Sequence, residues 1–99
     1  MIQLRKTIDE KFNDINFIKI KENEYGASYE RFNAKYDFVQ RLDLRYNANG
    51  NHLIQSYDKD LIDVEGIGNT CVGLTMYEIM LCLKKMKQMG WRCKRYDGI

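Results

Sequence analysis

The stretch RFNAKYDFVQRLDLRYNANGNHLIQSYD, residues 31–58, decides the fold. Its even positions from 32 to 46 hold Phe32, Ala34, Tyr36, Phe38, Gln40, Leu42, Leu44 and Tyr46, all apolar or aromatic except Gln40. Its odd positions from 31 to 45 hold Arg31, Asn33, Lys35, Asp37, Val39, Arg41, Asp43 and Arg45, all polar except Val39. A period of two marks strand with one dry face and one wet face. At about 3.3 Å per residue this run would span roughly 50 Å, too long for one strand in a small domain. A break near Lys35 to Asp37 is therefore expected. A three-residue turn there preserves parity, so that Phe32, Phe38, Leu42 and Leu44 share the buried face. Asn47-Ala48-Asn49-Gly50 is the next turn, and Asn-Gly between alternating segments is a strong hairpin signal. With Asn49-Gly50 as a two-residue loop, Tyr46 faces Leu53, Leu44 faces Gln55, Leu42 faces Tyr57 and Arg41 faces Asp58. That register sets apolar against apolar and basic against acidic.

Upstream, Leu4, Ile8, Phe12 and Ile15 form a narrow helical stripe over Gln3 to about Asn13. Asn16 to Glu22 reads as a strand with Ile18 and Ile20 on one side and Lys19 and Lys21 on the other. Asn23-Glu24-Tyr25-Gly26 supplies a turn, with Gly26 free to take positive φ. Downstream, Thr75 and Glu78 make a capping box, with Leu74 and Ile79 at the staple positions. Gly90 suits the C′ position, and Trp91 suits the apolar contact of a Schellman motif with Met86. A helix from Met76 to Met89 follows, with Met76, Ile79, Met80, Leu83 and Met86 expected to cover the sheet. Trp91 to Tyr96 alternates and suits a short final strand. The fold expected is α+β in one domain, residues 1–99: a short N-terminal helix, an antiparallel meander of three to four strands, and a long C-terminal helix packed on one sheet face.

Composition narrows the chemistry. The chain has 99 residues, 44% hydrophobic and 30% charged, with net charge +2, an ordinary balance for a globular domain. No apolar run is long enough to span a bilayer, so no membrane association is expected. No secretion signal is evident, and the odd set Cys71, Cys82 and Cys93 suits free thiols in a reducing cytoplasm. A structural zinc site needs four ligands at short paired spacing, and His52 is the single histidine. Gly66-Ile67-Gly68 followed by Gly73 misses the dinucleotide spacing and lacks the Gly-Lys-Ser/Thr of a phosphate loop. Asp58, Asp60, Asp63 and Glu65 lack the calcium-loop pattern and read as an acidic surface. Cys71 near a helix N-terminus would need His52 as its base. No coherent catalytic set emerges, so no catalytic, cofactor or metal residues are assigned and no enzyme activity is expected.

Charge is divided along the chain. Lys84, Lys85, Lys87, Arg92, Lys94 and Arg95 crowd the last sixteen residues around Trp91, against a single acid, Asp97. Cations neutralise phosphates and exposed aromatics stack on bases, so this end suits nucleic acid. Arg31, Lys35, Arg41 and Arg45 alternate with Asp37 and Asp43 on the wet sheet face, which suits specific pairing with a protein. The expected binding residues are Lys84, Lys85, Lys87, Trp91, Arg92, Lys94 and Arg95, with Arg41 and Arg45. In size, element order and composition the chain resembles the small α+β proteins with which phages and mobile elements inhibit host machinery, anti-CRISPR proteins among them. The missing catalytic set and the divided charge lead to a non-enzymatic interaction protein as the first expectation, and the resemblance implies occlusion as its mode, with charged groups filling a site that normally holds nucleic acid or a protein partner. A nucleic-acid-binding regulator is the second expectation, and self-association stays open.

Overall fold

Backbone pairing follows the alternation of the sequence, but the turns fall at other residues than the spacing suggests. The computed structural model describes residues 5–61 and 71–93. Four strands, β1 (Ile18–Asn23), β2 (Gly26–Asn33), β3 (Phe38–Arg45) and β4 (Leu53–Asp58), pair antiparallel in chain order. Helix α1 (Ile8–Asp14) precedes the sheet and α2 (Met76–Gln88) follows it. The fold is α+β, a four-stranded meander with a short N-terminal and a longer C-terminal helix.

The β2–β3 turn corrects the expected parity. Asn33 pairs with Phe38, so residues 34–37 make a four-residue turn rather than a three-residue one. The Asn33 side chain accepts from the Tyr36 backbone N–H at 3.2 Å, and Asp37 closes the turn at φ 52°, a conformation Asp tolerates. The extra residue flips the face of β2. Ala27 now stands opposite Leu44, Tyr29 opposite Leu42 and Arg31 opposite Gln40, and Ala27, Tyr29, Gln40, Leu42 and Leu44 are buried. Phe32, expected in the core, lies opposite Val39 and is 60% exposed. Tyr36 and Tyr46 are exposed as well, and Phe38 is half-buried.

The β3–β4 hairpin also shifts by one residue. Arg45 pairs with Leu53, Leu44 with Ile54, Leu42 with Ser56 and Arg41 with Tyr57, so the facing pairs expected from a two-residue loop do not form. The loop is longer because its side chains hold it open. Asn47 and Asn49 each accept from the backbone N–H two residues on, and His52 Nδ1 accepts from the Asn47 N–H at 3.0 Å. Gly50 takes φ +87° within this loop. Gly26 is required for another reason than the one expected. It is not a positive-φ residue; a Cβ there would lie 2.6 Å from the Leu44 carbonyl oxygen. A bulge between Lys19 and Lys21 separates the two lysines that the simple alternation placed together.

Both helices carry capping boxes. Thr7 accepts from the Glu10 N–H while Glu10 accepts from Thr7, which starts α1 at Ile8 rather than near Gln3; Leu4 lies outside the described residues. Thr75 and Glu78 do the same for α2. At its other end Gly90 takes φ +85°, its N–H reaches the Lys87 carbonyl, and the Trp91 N–H reaches the Met86 carbonyl, the expected Schellman closure. Residues 91–93 form no strand; the remainder of the expected final strand, and the loop with Gly66 and Gly68, lie outside the described residues.

The core joins Phe12 of α1, Phe17, the buried face of the sheet, Leu81, Cys82 and Met86 of α2, and Trp91. The expected packing face of α2 is overturned here. Met86 is buried, but Met76, Ile79, Met80 and Leu83 are exposed. The buried residues are Glu78, Leu81, Cys82, Lys85 and Met86, on the opposite side of the helix at 3.6 residues per turn.

Candidate interaction surface

Two charged residues explain why α2 turns this way. Glu78 and Lys85 are seven apart and so share a helix face. Glu78 Oε2 lies 2.8 Å from Arg31 Nη1 on β2. Arg31 is further held by the Ile15 carbonyl, by Gln40 Oε1 and over the Phe17 ring. Lys85 reaches Glu22 on β1 at 2.7 Å and Asp9 on α1 at 3.2 Å. Asp9 also accepts from the Tyr29 hydroxyl at 2.6 Å and from Lys19 at 2.9 Å. Burial opposes the charge on Asp9, but these three donors outweigh it and hold its carboxyl below the usual range. Contact with Lys85 is the largest influence depressing Glu22. Glu78 and Lys85 are buried while their partners keep some water, and turning either away from its partner would leave a buried charge uncompensated. These pairs fix the rotation of α2.

The consequence is an apolar stripe with no cover among the described residues. Met76, Ile79, Met80 and Leu83 follow the i, i+3, i+4, i+7 spacing of one helix face. Met76 is 91% exposed and Leu83 57%. Together the four expose roughly 400 Å², the scale of the largest apolar patch on a typical monomer, which is often functional. Tyr77 extends the patch beside them. Lys84 and Lys87 stand exposed on α2 and join no ion pair among the described residues, and Arg92 is exposed just beyond the helix.

The expected binding residues thus separate. Lys85 belongs to the interior and is unavailable to a partner. Trp91 is also buried, edge-on to Tyr46 and tilted against His52, so it anchors the helix end rather than offering a stacking surface. Arg92 lines a hollow of about 420 Å³ with Tyr46, His52 and Asn49. Lys94 and Arg95 lie outside the described residues. The sequence reading missed the outward stripe because it assigned those same residues to the core. The signal that α2 has apolar side chains on both faces is present, since Leu81, Cys82, Met86 and Met89 form a second stripe.

Arg41 and Arg45 line a shallow groove of about 430 Å³ on the helix-free sheet face, with Lys21, Tyr25, Ser28, Asp43 and Tyr57. Its one carboxylate is fully engaged: Asp43 accepts from Ser28, Arg41 and Tyr57. Burial opposes its charge, but these donors hold it below the usual carboxylate range. Burial and Asp43 together push the Tyr57 hydroxyl up to about 12. Arg41 is further committed to Glu30 at 2.7 Å, not to Asp58. Arg45 donates from Nη1 to the Gln55 side-chain Oε1 at 3.2 Å.

Burial, and then Glu78, push the Cys82 thiol up to about 12, so it is a protonated core residue at neutral pH. His52 is occupied by Asn47 and stacked on Tyr46. Among the described residues no group of His, Cys, Asp or Glu is arranged to hold a metal ion, and no helix is long and apolar enough to cross a membrane. Compared with known protein families, curated proteins and solved structures, the chain matches none.

Proposed function

We propose that this chain is a non-enzymatic interaction protein that binds another protein through the outward face of α2. One observation carries the reading: Met76, Ile79, Met80 and Leu83 line up on a helix face that the sheet does not cover. An apolar patch of this size is on the scale of the largest that a typical monomer shows, and such patches are often functional. The groups best placed for chemistry, Asp9, Asp43, Glu78 and Cys82, are engaged in structure. Binding by a small rigid module fits an inhibitor that occludes its target, the mode expected of a phage or mobile-element protein.

A photo-crosslinking amino acid at Met80 tests this in an extract of the source cell. A stoichiometric protein adduct is expected from position 80 and not from Lys35 on the β2–β3 turn. An adduct that disappears on nuclease treatment would instead select the nucleic-acid regulator, and absence of any position-specific adduct would remove the protein-binding reading.

A further inference from the structure

We infer that the occupant of the α2 face is an amphipathic helix of another protein, apolar on one side and carrying carboxylates at its N-terminal turn. This rests on the reading of the stripe as a docking surface and adds the chemistry of the partner. The four anchors span two turns, about 10 Å at 1.5 Å per residue, which is the spacing a partner helix offers with its own i, i+3, i+4 and i+7 side chains. The stripe is a ridge rather than a slot, so side-by-side helix packing suits it.

Charge chooses the partner. Lys84 and Lys87 flank the C-terminal end of the ridge, and neither has a carboxylate within ion-pair distance among the described residues. The only acid of α2, Glu78, faces inward against Arg31. The C-terminal end of the ridge is therefore cationic, with no compensating carboxylate among the described residues. An antiparallel partner helix brings its N-terminus to these lysines, and acidic residues are favoured in that first turn by the helix dipole. The lysine stems lengthen the apolar strip while their ammonium groups reach the carboxylates.

A second copy fits less well. Ridge against ridge, it offers no exposed carboxylate from its own α2, so Lys84 and Lys87 of one chain would face those of the other. An anionic bilayer would meet cations at only one end of a two-turn stripe.

The test uses the intact chain and two synthetic eighteen-residue peptides. Both carry leucines at helical spacing; one has glutamates in its first turn, the other lysines at the same places. Titration calorimetry at about 0.1 M salt should show the acidic peptide binding at least tenfold more tightly, with the preference fading as salt rises. The double variant Lys84→Glu/Lys87→Glu should invert the preference, and Leu83→Asp should abolish binding of both peptides. Met76→Asp serves as a second abolishing variant should Leu83→Asp fold poorly, because Met76 is almost fully exposed. Equal binding of both peptides, still lost in Leu83→Asp, would overturn the acidic chemistry while leaving the docking surface standing. Peptide binding unaffected by either aspartate variant would overturn both. Co-sedimentation with phosphatidylserine vesicles in place of peptide binding, or a dimer at 50 μM that Leu83→Asp dissociates (roughly the micromolar range of weak association), would overturn the assignment in favour of a membrane or a second copy.

Discussion

Lys85 and Lys84 are adjacent in the chain and meet opposite environments. The Lys85 ammonium is buried between Asp9 and Glu22, whereas Lys84 points to water. Burying a lysine is costly unless carboxylates replace the lost water, and here they do. Truncating it leaves Asp9 and Glu22 to Lys19 alone and opens a hole beneath α2. Lys85→Ala should lower unfolding free energy by about 2 kcal/mol, less than the cost of leaving a fully buried charge unpaired, because both carboxylates keep Lys19 and part of their water. Lys84→Ala should change it by less than about 0.5 kcal/mol, as for other surface substitutions. Urea unfolding followed by circular dichroism measures both. Equal effects would mean that Lys85 is not the buried member of the pair. Nothing local in the sequence distinguishes these lysines. The difference comes from Asp9 and Glu22, more than sixty residues away, and only the tertiary fold brings them to Lys85.

At the scale of the elements, local signals carried well and face assignments did not. The Thr75–Glu78 capping box and the Gly90–Trp91 closure lie within a few residues of one another, and both form as read. The Thr7–Glu10 box was equally legible and would have placed the start of α1 correctly. Faces depend on turn lengths, and a turn one residue longer inverts a whole strand. That is why Phe32 leaves the core while Tyr29 enters it. For α2, both faces carry enough apolar side chains to seal a sheet, and the choice falls to Glu78 and Lys85 finding Arg31, Asp9 and Glu22. The strand face is open to direct measurement. Phe32→Ser should cost less than about 0.5 kcal/mol in a urea melt, as expected on an exposed face. A loss of roughly 3–5 kcal/mol, the cost of deleting a buried phenylalanine, would restore the three-residue turn and the original parity.

Across the whole molecule, ion pairs and hydroxyl–carboxylate bonds tie the layers together, and they set how stability varies with pH. Asp9 links α1 to β1, β2 and α2; Asp43 links β2, β3 and β4 across the open face. Both carboxyls, with Glu22, titrate below their ordinary range in the folded chain. The folded state therefore holds fewer protons there than the unfolded chain, so the stability they contribute is complete above the unfolded carboxyl pKa, about 4, and is lost as pH falls through the lower folded values. Tyr29 and Tyr57 behave in the opposite sense. Burial and their carboxylate acceptors raise both hydroxyls, Tyr57 to about 12, so their contribution is complete below the unfolded tyrosine pKa, about 10, and declines above it. Urea midpoints should form a plateau between about pH 5 and 9 and fall on both sides. The acid limb is the more telling, because it reports the bonds that join helices to sheet as well as strand to strand. Asp9→Asn should lower the plateau and flatten the fall below about pH 4, since an amide cannot take up the proton that breaks the network. An acid limb of unchanged steepness in that variant would mean that the Asp9–Lys85 contact does not help hold α2 on the sheet, and the outward turn of its apolar stripe would then rest on the Glu22–Lys85 and Glu78–Arg31 pairs.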